Sequence, residues 1–182
     1  DAIKSYEKAI AINPNFSEAH NNLGNVFKDH GELDRAVNSY QKAIKLNSDF
    51  AEAYYNLGNT YKKLNRKQKA LVFFEKAGEI NLNMDFILGD ILTARMQFCD
   101  WTDYSILLKS LQSKIVDNEK VVDPFNLLGL IDDPALQKIA AQIFSKYHYA
   151  KKYTLNKINP YTKKSKIRIG YFSADFHNHA TM

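Results

Sequence analysis

Apolar and polar positions run through the first half of this chain in blocks. Within each block the apolar residues fall three or four apart, as on one stripe of an amphipathic helix. The blocks themselves recur every 34 residues, so internal repetition is read before local structure. Ala2, Ala36 and Ala70 correspond, as do Tyr6, Tyr40 and Phe74, and Ala9, Ala43 and Ala77. In the other half of the unit Leu23 matches Leu57, Gly24 matches Gly58 and Phe27 matches Tyr61. Each unit therefore predicts a pair of helices. The small residues let neighbouring helices approach, Tyr40 and Phe74 fill the space between them, and the units stack because neither helix can bury its stripe alone. Turns are predicted at His30 to Glu32, at Leu64 to Arg66 and around Asn13-Pro14, where proline disfavours helical geometry in the residue before it.

The period breaks after Met84. Residues 85–101, DFILGDILTARMQFCDW, keep the helical phase and place Asp90 where Asn22 and Asn56 predict asparagine. The segment is apolar on nearly every side through Phe98, which predicts enclosure by whatever follows. From Cys99 to Tyr104 the repeat is lost. Leu107, Leu108, Leu111 and Ile115 form one stripe of a further helix, and Pro124 to Asp133 reads as a connection. Asp133-Pro134 predicts a helix start, an oxygen cap followed by proline in the first turn. Leu136, Ile139, Ala140, Ile143, Phe144 and Tyr147 share a face of that helix as far as about Tyr149. A polar linker, 151–165, leads to Lys166–Met182, where Ile167, Ile169 and Tyr171 alternate with Arg168, Gly170 and Phe172 as in a buried strand. Beyond Ser173 come Asp175, His177, Asn178, His179 and Thr181. A strand that runs out into a polar loop is how open α/β sheets build ligand sites.

With 182 residues, 45% of them hydrophobic, the chain can bury a real core. The longest apolar runs fall short of the roughly 18 to 20 residues a membrane span needs. The single cysteine, Cys99, excludes an internal disulfide and favours a reducing compartment, so a cytoplasmic location is expected. The net charge of +5 is unevenly placed: residues 151–182 carry seven Lys/Arg against Asp175 alone, while the first 150 carry 18 basic and 19 acidic groups. Without aromatic interleaving or a nucleic-acid motif the basic run reads as a solvated linker, and no nucleic-acid partner is expected. His177 and His179 are compatible with metal ligation or with general-base chemistry near neutral pH. No third ligand stands near them in sequence, so no metal site is expected. Asn22 and Asn56 are equivalent, and Glu18 and Glu52 lie four residues earlier on the same face. An amide both gives and receives hydrogen bonds, so such a column either holds an extended peptide by its backbone or satisfies neighbouring turns. His20 and His30 read as surface or turn residues.

The 34-residue unit with N-L-G, then A, Y or F, and A resembles the tetratricopeptide repeat. Two full units, Ser17 to Phe50 and Ala51 to Met84, follow a partial one in residues 1–16. The usual proline at the unit's end survives only as Pro14, with Ser48 and Leu82 in its place, which loosens the turns. The order of parts is more specific. Repeats, then Cys99-Asp100-Trp101-Thr102-Asp103-Tyr104, helical spacers over 85–150, a basic linker, and R-I-G-Y-F-S-A-D-F with N-H-x-T closely resemble the protein glycosyltransferases that add O-linked N-acetylglucosamine, together with their SPINDLY-like relatives. That resemblance implies an all-α repeat superhelix with spacer helices, followed from Lys166 by one β-strand of a truncated Rossmann-like catalytic lobe. It implies transfer of N-acetylglucosamine from its UDP form to Ser or Thr of acceptor proteins, without a metal and with residues 1–182 alone inactive. His179 would be an active-site contact, with Asp175, Asn178 and Thr181 in the same loop. Asn22 and Asn56 would hold acceptor peptides, with Glu18 and Glu52 beside them and Asp90 at the column's next position. His177 and Ala180 depart from the glycine and proline of animal members. Two other readings stay open: a peptide-binding scaffold without transferase activity, and transfer of fucose from GDP-fucose. A strand with no sheet to join also predicts self-association.

Overall fold

The computed structural model describes residues 2–148, and among these the secondary structure is entirely helical. The helices are α1 (Ala2–Ile12), α2 (Ser17–Asp29), α3 (Leu33–Leu46), α4 (Ala51–Lys63), α5 (Lys67–Ile80), α6 (Ile87–Met96), α7 (Tyr104–Val116), α8 (Pro124–Leu130) and α9 (Pro134–His148). The predicted strand and loop at Lys166–Met182, with His179, Asp175, Asn178 and Thr181, lie outside the described residues, as does the linker at 151–165.

Helices α2 and α3 form one antiparallel pair and α4 and α5 the next; α3 packs on α4, and α5 on α6. The repeated small residues explain how closely they meet. Ala36, Ala43, Ala70 and Ala77 are buried along α3 and α5, and Tyr40 and Phe74 are sealed between pairs. Each ring lies directly on a glycine of the preceding helix. A Cβ on Gly24 would stand 2.6 Å from the Tyr40 ring, and one on Gly58 would stand 2.7 Å from the Phe74 ring. The N-L-G signature is thus the seat of the aromatic residue sixteen positions on.

The three predicted turns fall where the pattern places them. The turn within a unit uses left-handed backbone at Gly31 (φ 79°), after which the Glu32 amide reaches back to the Phe27 carbonyl at 2.9 Å. Asn65 (φ 56°) and the Arg66 to Tyr61 bond repeat this one unit later. Left-handed geometry suits glycine and is tolerated by asparagine. The sequence loses the repeat at Cys99, but the backbone keeps it one turn further. Cys99 (φ 54°) takes the place of Gly31 and Asn65, and the Asp100 amide bonds the Arg95 carbonyl at 3.1 Å.

The turns between units keep their form without proline. At Asn13, Asn47 and Asn81 the side-chain Oδ1 accepts from the backbone amide two residues on, at 3.2, 3.1 and 3.0 Å. This asparagine turn closes the end of each second helix, so replacing proline by Ser48 and Leu82 leaves the turn defined.

Helix α6 belongs to two cores. Ile87 and Ile91 join the repeat core with Leu57, Phe74 and Ala77. Leu88 and Leu92 join a second core with Leu111, Ile115, Val122, Leu127 and Leu136. That division accounts for its apolar circumference. The segment after α7 is built differently from the sequence expectation: residues 124–130, read as a connection, form the short helix α8. Asp123 Oδ1 caps it by accepting from the Phe125 amide at 2.8 Å, with Pro124 in the first turn. Its seven residues are too few to display a helical period, which is why pattern alone missed it. Asp133 caps α9 by accepting from the Ala135 and Leu136 amides, as the sequence predicts.

Candidate functional site

The first helices of the successive units, α2, α4 and α6, share one polar face, and side-chain bonds cross it from helix to helix. Asn56 Nδ2 donates to Asn21 Oδ1 at 3.1 Å, and Asn21 Nδ2 donates to Glu52 Oε1 at 3.3 Å, so α2 and α4 are joined by an amide pair and a carboxylate. Between α4 and α6, Tyr55 donates its hydroxyl to Asp90 Oδ2 at 2.9 Å, and Lys62 Nζ donates to Asp90 Oδ1 at 3.0 Å.

The residues of the predicted column differ in exposure and in bonding. Asn22 is half-buried and engages no other described side chain. Asn56 is only 8% exposed and uses its NH₂ group on Asn21, which leaves its Oδ1 as the acceptor still to be used. Asp90, also 8% exposed, has both oxygens engaged. Glu18 and Glu52 are exposed along the same edge, Glu18 accepting from the Ser17 hydroxyl at 2.9 Å. Asn21 was not singled out by the sequence, although it is the residue that ties the column together. Its counterparts at 34-residue spacing are Tyr55 and Gly89, so no repetition marks it. Asn25 and Asn59, half-buried and equivalent, extend the amide lining. Asn25 Oδ1 accepts from the Tyr40 hydroxyl at 2.8 Å.

Of the two readings of His20, surface or turn, the structure keeps the turn. It is 6% exposed rather than a surface residue, and its Nε2 lies 3.3 Å from the Pro14 carbonyl, where it closes the turn between α1 and α2. His30 is exposed at the end of α2.

Burial governs the titration of this face. It pushes the Lys28 ammonium below its ordinary pKa; nearby Asp29 and Glu52 oppose the shift and Lys63 adds to it. Burial, reinforced by the charge of Asp90, raises the Tyr55 phenol well above its ordinary value. Burial does the same to Tyr40.

The face ends in a pocket of about 490 Å³ bounded by α4, α6, α8 and α9 and lined by Tyr55, Asn59, Lys62, Phe86, Asp90, Asp123, Asn126, Phe144, Tyr147 and His148. The C-D-W-T-D-Y segment lies apart from it, as the turn between α6 and α7. Arg95 braces that turn, with its Nε 2.7 Å from Glu75 Oε1 and its Nη1 3.0 Å from the Thr102 carbonyl. Asp100 Oδ1 accepts from the Thr102 amide at 3.0 Å, and this bonding to Thr102 holds its carboxyl below the usual range. Among the described residues no group of three or more His, Cys, Asp and Glu could hold a metal, and no helix is long and apolar enough to cross a membrane.

Stacked helical pairs with a shared polar face define a helical-repeat scaffold. A family profile described as TPR repeat matches residues 1–31 and 24–65, and one described as tetratricopeptide repeat matches residues 51–83. Together these matches span residues 1–83 of this chain. The crystal structure of MamA superposes with a TM-score of 0.54 at 22% identity, covering 79% of this chain and 83% of that one. YrrB, described as a TPR protein with an unusual peptide-binding site, superposes with a TM-score of 0.58 at 23% identity, covering 82% of this chain and 77% of that one. At these identities the likeness establishes the fold, which in both cases extends beyond the matched repeats. No curated protein sequence matches the chain.

Proposed function

We propose that residues 2–148 are a peptide-binding scaffold whose ligand lies extended across the polar face of α2, α4 and α6. The observation that carries this reading is the amide lining itself. Asn22 has no other described side chain to bond, and Asn56 uses its NH₂ on Asn21 and leaves its Oδ1 without a described donor. Amides that give and receive hydrogen bonds hold a peptide backbone without reading its side chains. That a solved neighbour of the same fold carries a peptide-binding site supports the reading. The test is a titration of the isotope-labelled chain with an unstructured Ser/Thr-rich peptide, followed by amide resonances. Perturbations along Asn22, Asn25, Asn56 and Asn59 are expected, and Asn22→Ala should weaken binding about fivefold to tenfold, the worth of one hydrogen bond. Perturbations confined to α3 and α5 would overturn it.

The finer reading is that this scaffold presents acceptors to a protein O-glycosyltransferase that moves N-acetylglucosamine from UDP-N-acetylglucosamine to Ser or Thr. Its support is the sequence alone: Cys99 to Tyr104, and the S-x-D-F-x-N-H-x-T run beginning at Ser173. In this reading His179 contacts the reacting sugar, Asp175, Asn178 and Thr181 shape its loop, and Asn22 and Asn56, flanked by Glu18, Glu52 and Asp90, hold the acceptor. The assay offers a Ser/Thr-rich acceptor to the full-length protein with UDP-N-acetylglucosamine and GDP-fucose in turn, and reads the acceptor's intact mass. A hexosamine shift abolished by His179→Ala supports it; a deoxyhexose shift reassigns the donor; no shift with either leaves the scaffold.

A further inference from the structure

We propose that the pocket at the α6 end of the polar face binds the side chain of an arginine carried by the peptide. This rests on the peptide-binding reading above and adds a specificity to it. Two features of the lining select the occupant. The first is aromatic: Tyr55, Phe86, Phe144 and Tyr147 line one space, with Phe86 at its centre, its ring 6.0 Å from Phe144 and 5.6 Å from Tyr147. The second is charge. Asp90 and Asp123 line the same pocket against the ammonium of Lys62, with the imidazole of His148 stacked on Phe86 at 6.2 Å, so the two carboxylates and the ammonium together carry a net negative charge.

The carboxylates remain usable. Asp123 spends Oδ1 on the Phe125 amide, and no described side chain takes its Oδ2. Lys62 is half-exposed where it meets the buried Asp90, so an entering cation that pairs with Asp90 in its place lets the ammonium turn outward to solvent. A guanidinium fits both features, because its plane lies against aromatic rings and its fork pairs with carboxylates. An acidic side chain would meet Asp90 across a desolvated wall. A purely apolar one would cover Asp123 and the Lys62–Asp90 pair without bonding either. The volume of about 490 Å³ admits an arginine side chain together with the adjoining backbone.

The test titrates the labelled chain with blocked pentapeptides, Gly-Gly-Xaa-Gly-Gly, in which Xaa is Arg, Glu or Leu. The arginine peptide should move the amides of Asn59, Asp90 and Asn126 and bind at least about tenfold more tightly than the glutamate peptide. Asp90→Asn should weaken it by a similar factor while keeping the acceptor for Tyr55. Asp123→Asn is the second variant, since asparagine also caps α8 and only the charge is lost. Equal response to arginine and glutamate, tighter binding of leucine, or undiminished arginine binding by both variants would overturn the proposal. A Ser/Thr-rich peptide that moves Asn22 while the arginine peptide leaves the pocket unmoved overturns the pocket alone. An arginine peptide that fills the pocket while Asn22 responds to no peptide overturns the groove instead.

Discussion

Replacing Gly89 by alanine tests how the end of the repeat stack is joined to the helices that follow. The segment at residues 120–122 lies across the first turn of α6, where the Phe86 amide donates to the Lys120 carbonyl at 2.5 Å and the Gly89 amide to the Val121 carbonyl at 2.9 Å. A Cβ on Gly89 would stand 2.5 Å from Val122 Cγ2 and 2.8 Å from Val122 Cα. The latter is backbone and cannot rotate aside, so the segment must retreat by roughly an ångström to restore ordinary contact. That movement overpacks or reopens the site of the buried Val121 and Val122, a cost of about 1 to 3 kcal/mol, and stretches a buried hydrogen bond worth about 1 kcal/mol. Alanine's better helix propensity returns at most about 1 kcal/mol. The net expectation is a loss of about 1 to 3 kcal/mol. Gly129 in α8 is the control: nothing lies within 4 Å of its Cβ position, so Gly129→Ala should gain about 0.5 to 1 kcal/mol. Urea unfolding followed by far-ultraviolet circular dichroism would separate the two midpoints by about 1 M at the usual slope. Equal stability of the two variants, or a Gly89→Ala protein more stable than its parent, would refute the described contact.

Asn56→Asp should destabilise the fold by about 1 to 3 kcal/mol, because a carboxylate cannot donate to Asn21 Oδ1 and two acceptors would face each other in a buried site; a urea midpoint unchanged from the parent would contradict this. Cys99→Gly should stabilise by about 0.5 to 1 kcal/mol, since a left-handed residue with a Cβ costs about 1 to 2 kcal/mol and glycine returns part of that gain as chain entropy; thermal unfolding reads the difference. Tyr40 and Tyr55 have folded-state pKa values raised above the ordinary 10.0. Stability from these phenols is therefore full below about pH 10 and is lost as pH rises beyond it, when the unfolded phenols ionise first. In an alkaline titration their phenolate absorbance should appear only with unfolding, and a Tyr40→Phe, Tyr55→Phe variant should lose that step.

What the sequence made legible was whatever repeats. Leu23, Gly24, Tyr40 and their partners one unit later are each one member of a spaced series, and the series names the helix, its buried stripe and its neighbour at once. Asn22 and Asn56 became visible in the same way. Features that act singly stayed hidden. Asn21 has no counterpart amide, and its partner is fixed by how α4 sits on α2. His20 looks like any polar helix residue until the turn at Pro14 folds over it. The asparagine turns at Asn13, Asn47 and Asn81 do repeat at 34-residue spacing, and it is the asparagine, not the lost proline, that defines the turn. Cys99 shows the opposite failure: the backbone conformation persists after the sequence signal for it has gone.

The same reasoning explains why the column changes chemistry at Asp90. Asn22 stands on a helix followed by another repeat and Asn56 on the helix before α6, so the outer edge of each meets a further polar face. Helix α6 instead spends Ile87 and Ile91 on the repeat core behind it and Leu88 and Leu92 on the core ahead. What remains for the shared face is a narrow strip on which Asp90 is nearly enclosed. An enclosed carboxylate persists only with donors at both oxygens. Tyr55 and Lys62, about two turns apart on α4, the helix before it in the column, supply them. An asparagine there would accept from the tyrosine but set its NH₂ against the Lys62 ammonium, donor against donor. The acid is therefore tied to the lysine one repeat earlier, and at the end of the stack the column exchanges an amide for a carboxylate.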